Sequence, residues 1–168
     1  MFKTNDYFIY SSRGVCRVDD VCDKKVNDIK RTYYVFHPVA DKEARIKIPV
    51  DNKKIFMRAT ITPDEARQII SYFDNPDMIP WNDNKKLRDK EFDVAVKQSD
   101  AQELAKILKV LLFRKANSAS LNKKFADTDN RLLLSIQQLL FNELAVVLGV
   151  SADKISCYIT DAVTKVSA

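Results

Sequence analysis

Glycine is almost missing from this chain. Only Gly14 and Gly149 occur among 168 residues, so a glycine loop that cradles phosphate has nothing to be built from. Cysteine is scarce too. Cys16, Cys22 and Cys157 are odd in number and form no C-x-x-C pair, which argues against a disulfide framework and reads as small apolar residues. His37 is the only histidine. A zinc site would need scattered Cys and Asp, and His37 precedes Pro38 with no nucleophile motif beside it. Asp19, Asp20 and Asp23 fall on an expected hairpin and read as solvated acids. Nothing assembles into a catalytic set, so no enzyme activity, cofactor, metal or small-molecule substrate is expected. The opening MFKTNDYFIY lacks the apolar run of a signal peptide. No stretch nears the ~18 apolar residues that span a bilayer. The cytoplasm is the expected location, with no membrane partner.

What the chain does have is charge, unevenly placed. Hydrophobic residues make up 46% and charged residues 30%, a balance that suits a globular protein rather than a disordered one. The formal net charge is +5, from 28 Lys and Arg against 23 Asp and Glu. Residues 1–58 hold 13 of these bases and 8 of the acids, and the remainder holds 15 of each. Within the neutral half, residues 104–126 carry Lys106, Lys109, Arg114, Lys115, Lys123 and Lys124 and no acid. A basic stripe of this kind is a footprint for a polyanion or simply a solvated helix face.

The hydrophobic period changes near residue 59. Before it, Tyr7–Tyr10, Val15–Val18 leading to Val21, Thr32–Phe36 and Ala44–Val50 read as short strands, which predicts a small barrel. In the last of these, Ile46, Ile48 and Val50 share one face, while Arg45 and Lys47 share the other. Pro49 lacks an amide donor and places that strand at an edge or at its own end. Beyond residue 59 the period is helical. Thr62-Pro63-Asp64-Glu65 is a capping-box start, and Asp74-Asn75-Pro76 is a stop. A second helix is expected from after Trp81 to about Gln98. Ser99-Asp100 is expected to cap a third, striped by Leu104, Ile107, Leu108, Leu111 and Leu112. A loop is expected over Asn117–Ser120, then a fourth helix capped by Asp127 or Thr128 and closed by Gly149. Ser151 opens a short fifth. The fold class is therefore α+β: a small β domain over 1–58, then an all-α domain of about five helices over 59–168.

Trp81 is the only tryptophan, and it stands at the lip of the run Asn82-Asp83-Asn84-Lys85-Lys86-Leu87-Arg88-Asp89-Lys90. Alone, the sequence leaves a core role and an exposed role both open. Farther on, Glu143–Gly149 followed by Ser151, Ile155 and Ile159 has the outline of a DNA-reading helix-turn-helix over 143–160. That makes a sequence-specific repressor the alternative reading. Asp153 near the start of the would-be recognition helix repels phosphate, and Ser156-Cys157-Tyr158 is a poor base-reading set.

Several motifs stand in order along the chain: Met1-Phe2-Lys3 with Asp6 and Tyr10, Gly14-Val15 with Val18, Tyr33-Tyr34-Val35, Ile48-Pro49-Val50-Asp51-Asn52 and Arg58. Pro80-Trp81-Asn82, Ser99-Asp100 and Glu143–Gly149 continue the series. The ordered set resembles the CarD/CdnL family of bacterial transcription regulators. The first half also resembles the RNA-polymerase-interacting domain of transcription-repair coupling factors. The resemblance implies a Tudor-like, SH3-like β-barrel that binds the RNA polymerase β subunit by adding a strand at a sheet edge, with Lys24, Arg45 and Lys47 as the contacts. It implies a helical domain lying on promoter DNA at the upstream edge of the open bubble, in its minor groove and on its phosphates. There a residue at the position of Trp81 wedges into the groove and hinders closure, so that the open complex is stabilised and the protein is nucleoid-associated through polymerase. The accompanying DNA contacts would be Lys85, Lys86, Arg88, Lys90, Arg114, Lys115, Lys123 and Lys124. One departure stands out: many relatives have Trp-x-Arg-Arg-Tyr, where this chain has Trp81-Asn82-Asp83-Asn84-Lys85.

Overall fold

The computed structural model describes residues 1–167. Five strands come first: β1 (Tyr7–Tyr10), β2 (Val15–Val26), β3 (Ile29–Pro38), β4 (Ile46–Pro49) and β5 (Met57–Ala59). Five helices follow: α1 (Pro63–Asp74), α2 (Lys85–Gln98), α3 (Ala101–Ser120), α4 (Asp127–Leu148) and α5 (Ala152–Ser167). The chain divides into two compact units, Met1–Thr60 and a second that begins at Ile61.

In the first unit all strand pairs are antiparallel, in the order β4-β3-β2-β1-β5. The sheet wraps one core of Phe8, Tyr10, Cys16, Val18, Tyr34, Phe36 and Ile48. Phe8 and Phe36 meet edge to face with ring centroids 5.0 Å apart, an arrangement that aligns ring quadrupoles as well as burying area. Gly14 turns the chain from β1 into β2 with φ 74° and ψ −146°, a conformation that side chains with a Cβ avoid. This is an α+β fold consistent with a Tudor-like domain followed by a helical one.

The strands differ from the expected short ones in one respect. β2 has 12 residues and β3 has 10, and they pair all the way to Val26 opposite Ile29. Asn27 and Asp28 close the hairpin with φ 51° and 60°, two positive values in succession that favour Asn, Asp and Gly and match the twist of the strands. Thr32–Phe36 is dense enough to be read as a whole strand. The polar residues around the turn hide its true length.

In the helical unit Thr62 caps α1 in a full capping box with Glu65. Asp100 caps α3 by accepting from the amides of Gln102 and Glu103, at 2.9 and 3.0 Å. Gly149 ends α4 at φ 66°. Three expectations need correction. Asn117–Ser120 belong to α3 rather than to a loop, because Asn and Ser at a helix end find backbone partners there, as Ser120 does by donating to the Asn117 carbonyl. Neither Asp127 nor Thr128 caps α4; the cap is Ala126, with no side-chain bond, while Asp127 and Asp129 favour the first turn electrostatically. Finally, α5 is not short, with 16 residues.

The core gathers Ile69, Phe73, Leu104, Leu108, Leu111, Leu133, Ile136, Leu140, Leu144, Ile155 and Ile159. By length and composition α4 is apolar enough to cross a membrane, against the sequence-based expectation. Its apolar side chains Leu133, Ile136, Leu140 and Leu144 are instead buried against other helices, which is how the core helix of a bundle satisfies the same test.

Candidate functional site

Two groups of residues carry the chemistry, one in each unit. In the sheet unit, strand alternation sorts side chains by face. Tyr34 and Phe36 point into the core, so Tyr33 and Val35 point out. The register then places Cys22 opposite Tyr33, Lys24 opposite Arg31, and Lys47 opposite Val35. Lys24, Arg31 and Lys47 therefore share the outer face. Lys47 Nζ stands 4.9 Å from the centre of the Tyr33 ring, a cation–π contact that holds the lysine over the sheet. β4 is an edge strand, and Pro49 ends it, in line with the missing amide donor. Arg45 is less available than the sequence suggests. Its guanidinium donates to the Lys42 and Ala44 carbonyls, both at 3.1 Å, and lies 3.7 Å from Asp19. Asp19 also faces His37 Nδ1 at 2.9 Å. Arg31 was missed by sequence reasoning, since only the hairpin register sets it beside Lys24.

In the helical unit the candidate cations other than Arg114 fall into three sets. Arg88 is turned inward, with only 6% of its surface exposed. Its guanidinium lies 4.1 Å from the Trp81 ring centre and donates to the Asn82 carbonyl at 2.8 Å. Arg88 is thus not a solvent-facing phosphate contact. A second set is held by neighbours: Lys85 by Asp89, Lys124 by Asp127 at 3.1 Å, and Lys115 by the Asn130 amide oxygen at 3.0 Å. The third set, Lys86, Lys90 and Lys123, is exposed. Asn84 explains the departure after Trp81. It caps α2 by accepting from the Leu87 amide at 3.2 Å, so Asn82-Asp83-Asn84 is a helix start and the lysines move into the first turn. No acid occupies that turn, and Lys85 and Lys86 there oppose the positive end of the helix dipole.

Lys109 breaks the expected basic stripe. It is 1% exposed and donates to the carbonyls of Tyr72 at 2.7 Å, Asp77 at 2.8 Å and Asn75. Those groups lie at and just beyond the C-terminal end of α1, where carbonyls lack helical partners. Burial holds the Lys109 pKa below the ordinary lysine value, against the opposing pull of Asp77 and Asp74. It is a helix cap, not a ligand-facing cation.

Trp81 is half-buried. It packs on the helical core and meets Phe92 edge to face at 6.3 Å. Besides Arg88, the Arg114 guanidinium lies 3.9 Å from the ring centre. One ring thus carries two guanidiniums. Arg88 is buried and anchored, whereas Arg114 is exposed.

Residues 2–61 match the CarD-like/TRCF RID domain. The match spans the five strands and stops where the helices start. It ties the sheet unit to RNA polymerase interaction and transcription. A comparison with curated proteins finds no match to the chain.

The helix-turn-helix outline is less favoured by the geometry. On α5, Ile155, Ile159, Ala162 and Val163 are buried. Of the outward residues, Asp153 and Asp161 are acidic, and Tyr158 is occupied in donating to Asp74 at 2.8 Å.

Proposed function

We propose that the protein is a non-enzymatic, cytoplasmic regulator of transcription initiation that stabilises promoter open complexes. The carrying observation is the RID match over residues 2–61. The sheet unit binds the polymerase β subunit along the edge strand β4, by strand addition, with Lys47, Lys24 and Arg31 on the adjoining face supplying charge complementarity. The helical unit rests on promoter DNA at the upstream edge of the bubble through Lys86, Lys90 and Lys123 on phosphates.

Trp81 is the wedge, and its two guanidinium partners set how it works. A guanidinium over the ring competes with a base for the same π surface. Arg88 is fixed by its bond to the Asn82 carbonyl, so the contact that opens is Arg114's. Near DNA, Arg114 leaves the ring for a phosphate, a stronger partner for a guanidinium than a π face. The vacated face then meets a base step in the minor groove.

The test joins two measurements. Residues 1–168 should capture the isolated polymerase β subunit, and a polymerase–promoter complex formed with Trp81→Ala should decay faster. Base–aromatic stacking is worth ~1–3 kcal/mol, so the lifetime should fall several-fold to about a hundredfold. An unchanged lifetime with a folded Trp81→Ala protein removes the wedge. Failure to capture the β subunit removes the polymerase reading itself.

A further inference from the structure

The β2–β3 hairpin continues beyond the sheet's core as a two-stranded arm, and the polymerase reading accounts for only one face of its charge. Its register sets Lys24 directly opposite Arg31 and Lys25 directly opposite Lys30. Like charges facing each other across strands are destabilising, and here they do so twice in succession. Asp23, just before the arm, pairs with Lys30 at 2.8 Å, and Asp28 sits in the turn. Residues 24–31 thus hold four cations against one acid. At the tip, Val26 faces Ile29, and these apolar residues are 50% and 63% exposed.

We propose that this arm, residues 24–31, enters a groove of duplex DNA. Alternation puts Lys24 and Arg31 on one face of the ribbon and Lys25 and Lys30 on the other. A protein surface would engage one face or one edge. A groove has a phosphate wall on each side and engages both. The apolar tip then points to the groove floor, where thymine methyl groups or a base step accept it. A two-stranded ribbon fits the major groove of B-form DNA, whereas the deep, narrow major groove of A-form RNA is closed to side chains. Lys24 and Arg31 are shared with the proposed β-subunit face, whereas Lys25 and Lys30, on the other face, belong to this inference alone.

The experiment uses the full chain and a duplex of arbitrary sequence, with anisotropy measured from ~50 to ~200 mM salt. Lys25→Gln with Lys30→Gln should weaken duplex binding about tenfold and reduce the salt slope by roughly 1 to 2, since each phosphate contact contributes about 0.9. Binding to the polymerase β subunit should not change, because these two lie on the opposite face from Lys47. Lys25→Arg with Lys30→Arg should bind as the parent does. Val26→Ser with Ile29→Ser should weaken binding with the slope preserved. A thermal melt that matches the parent establishes that the Gln pair is folded. The inference is overturned if that pair binds duplex with unchanged affinity and slope. It is equally overturned if the loss falls on the β subunit instead, which would assign the arm to an acidic protein, or if the Arg pair loses binding as the Gln pair does.

Discussion

The two units place their cations differently. On the sheet, Lys24, Arg31 and Lys47 stand outward on one face, and the charge is available to a partner. In the helical unit, Arg88 and Lys109 are buried, and several others pair with acids within a turn of themselves. Both units carry basic runs in the sequence, yet among the described residues only the helical unit turns cations inward, at Arg88 and Lys109. The difference lies in the backbone. A strand ladder satisfies its own amides and carbonyls, so lysine stems have no reason to turn inward. Helix ends leave carbonyls without partners, and a long lysine can reach them from a neighbouring helix.

Lys109→Met would break the contrast most strongly. It keeps the apolar stem and removes the donor to three carbonyls. Each orphaned buried acceptor costs ~1 kcal/mol or more, so the helical unit should lose about 3 kcal/mol in a denaturant titration, with the sheet unit unmoved. A loss below about 1 kcal/mol would mean that water replaces the ammonium.

On the sheet, Arg45→Glu with Lys47→Glu should weaken β-subunit binding by about tenfold or more while the melt stays put, since outward residues alternate away from Ile46 and Ile48. Most of that effect should come from Lys47, because Arg45 is already tied to local carbonyls and Asp19. If Arg45→Glu alone gave the full effect, the outer-face assignment would be wrong.

Alkaline pH should separate the two cores. Burial pushes the Cys16 thiol up to about 12, against a mild opposite pull from Arg13. Below pH ~9 the thiol is protonated in both states and its contribution is complete. Above that, only the unfolded chain ionises, so stability falls as pH rises toward 12, at up to about 1.4 kcal/mol per unit. In the helical unit, Tyr72 and Tyr158 are raised from 10.0 and Lys106 from 10.5. None of these weakens it below pH ~10, and the lowered Lys109 acts in the stabilising direction as pH rises. Between pH 9 and 10, then, only the sheet unit should soften, and Cys16→Val should flatten its profile. Parallel losses in both units would refute this.

The smallest effect should come from Arg114→Ala. An exposed cation–π contact contributes ~0.5–1 kcal/mol, so the melting point should barely move. On the proposed reading, the open ring face helps stacking while the lost phosphate contact opposes it, so open-complex lifetime should change far less than with Trp81→Ala. A loss as large as that of Trp81→Ala would make Arg114 the principal contact.

Local signals were legible in the sequence because they are local. Thr62 and Glu65 form their box within four residues, Gly149 needs only its own left-handed backbone, and the alternation of Ile46, Lys47 and Ile48 fixes their faces without knowledge of any other strand. Proline at 49 similarly marked an edge through its own missing amide. The tertiary structure alone decided what Lys109, Arg88 and Trp81 touch. A helical period tells which side of α3 carries Lys109, but the carbonyls it reaches belong to Tyr72, Asn75 and Asp77, more than 30 residues earlier. The two guanidiniums over Trp81 come from α2 and α3, and only the packing of those helices brings them to one ring. Long flexible cations have many partners within reach, and which one they take is set by where other elements end.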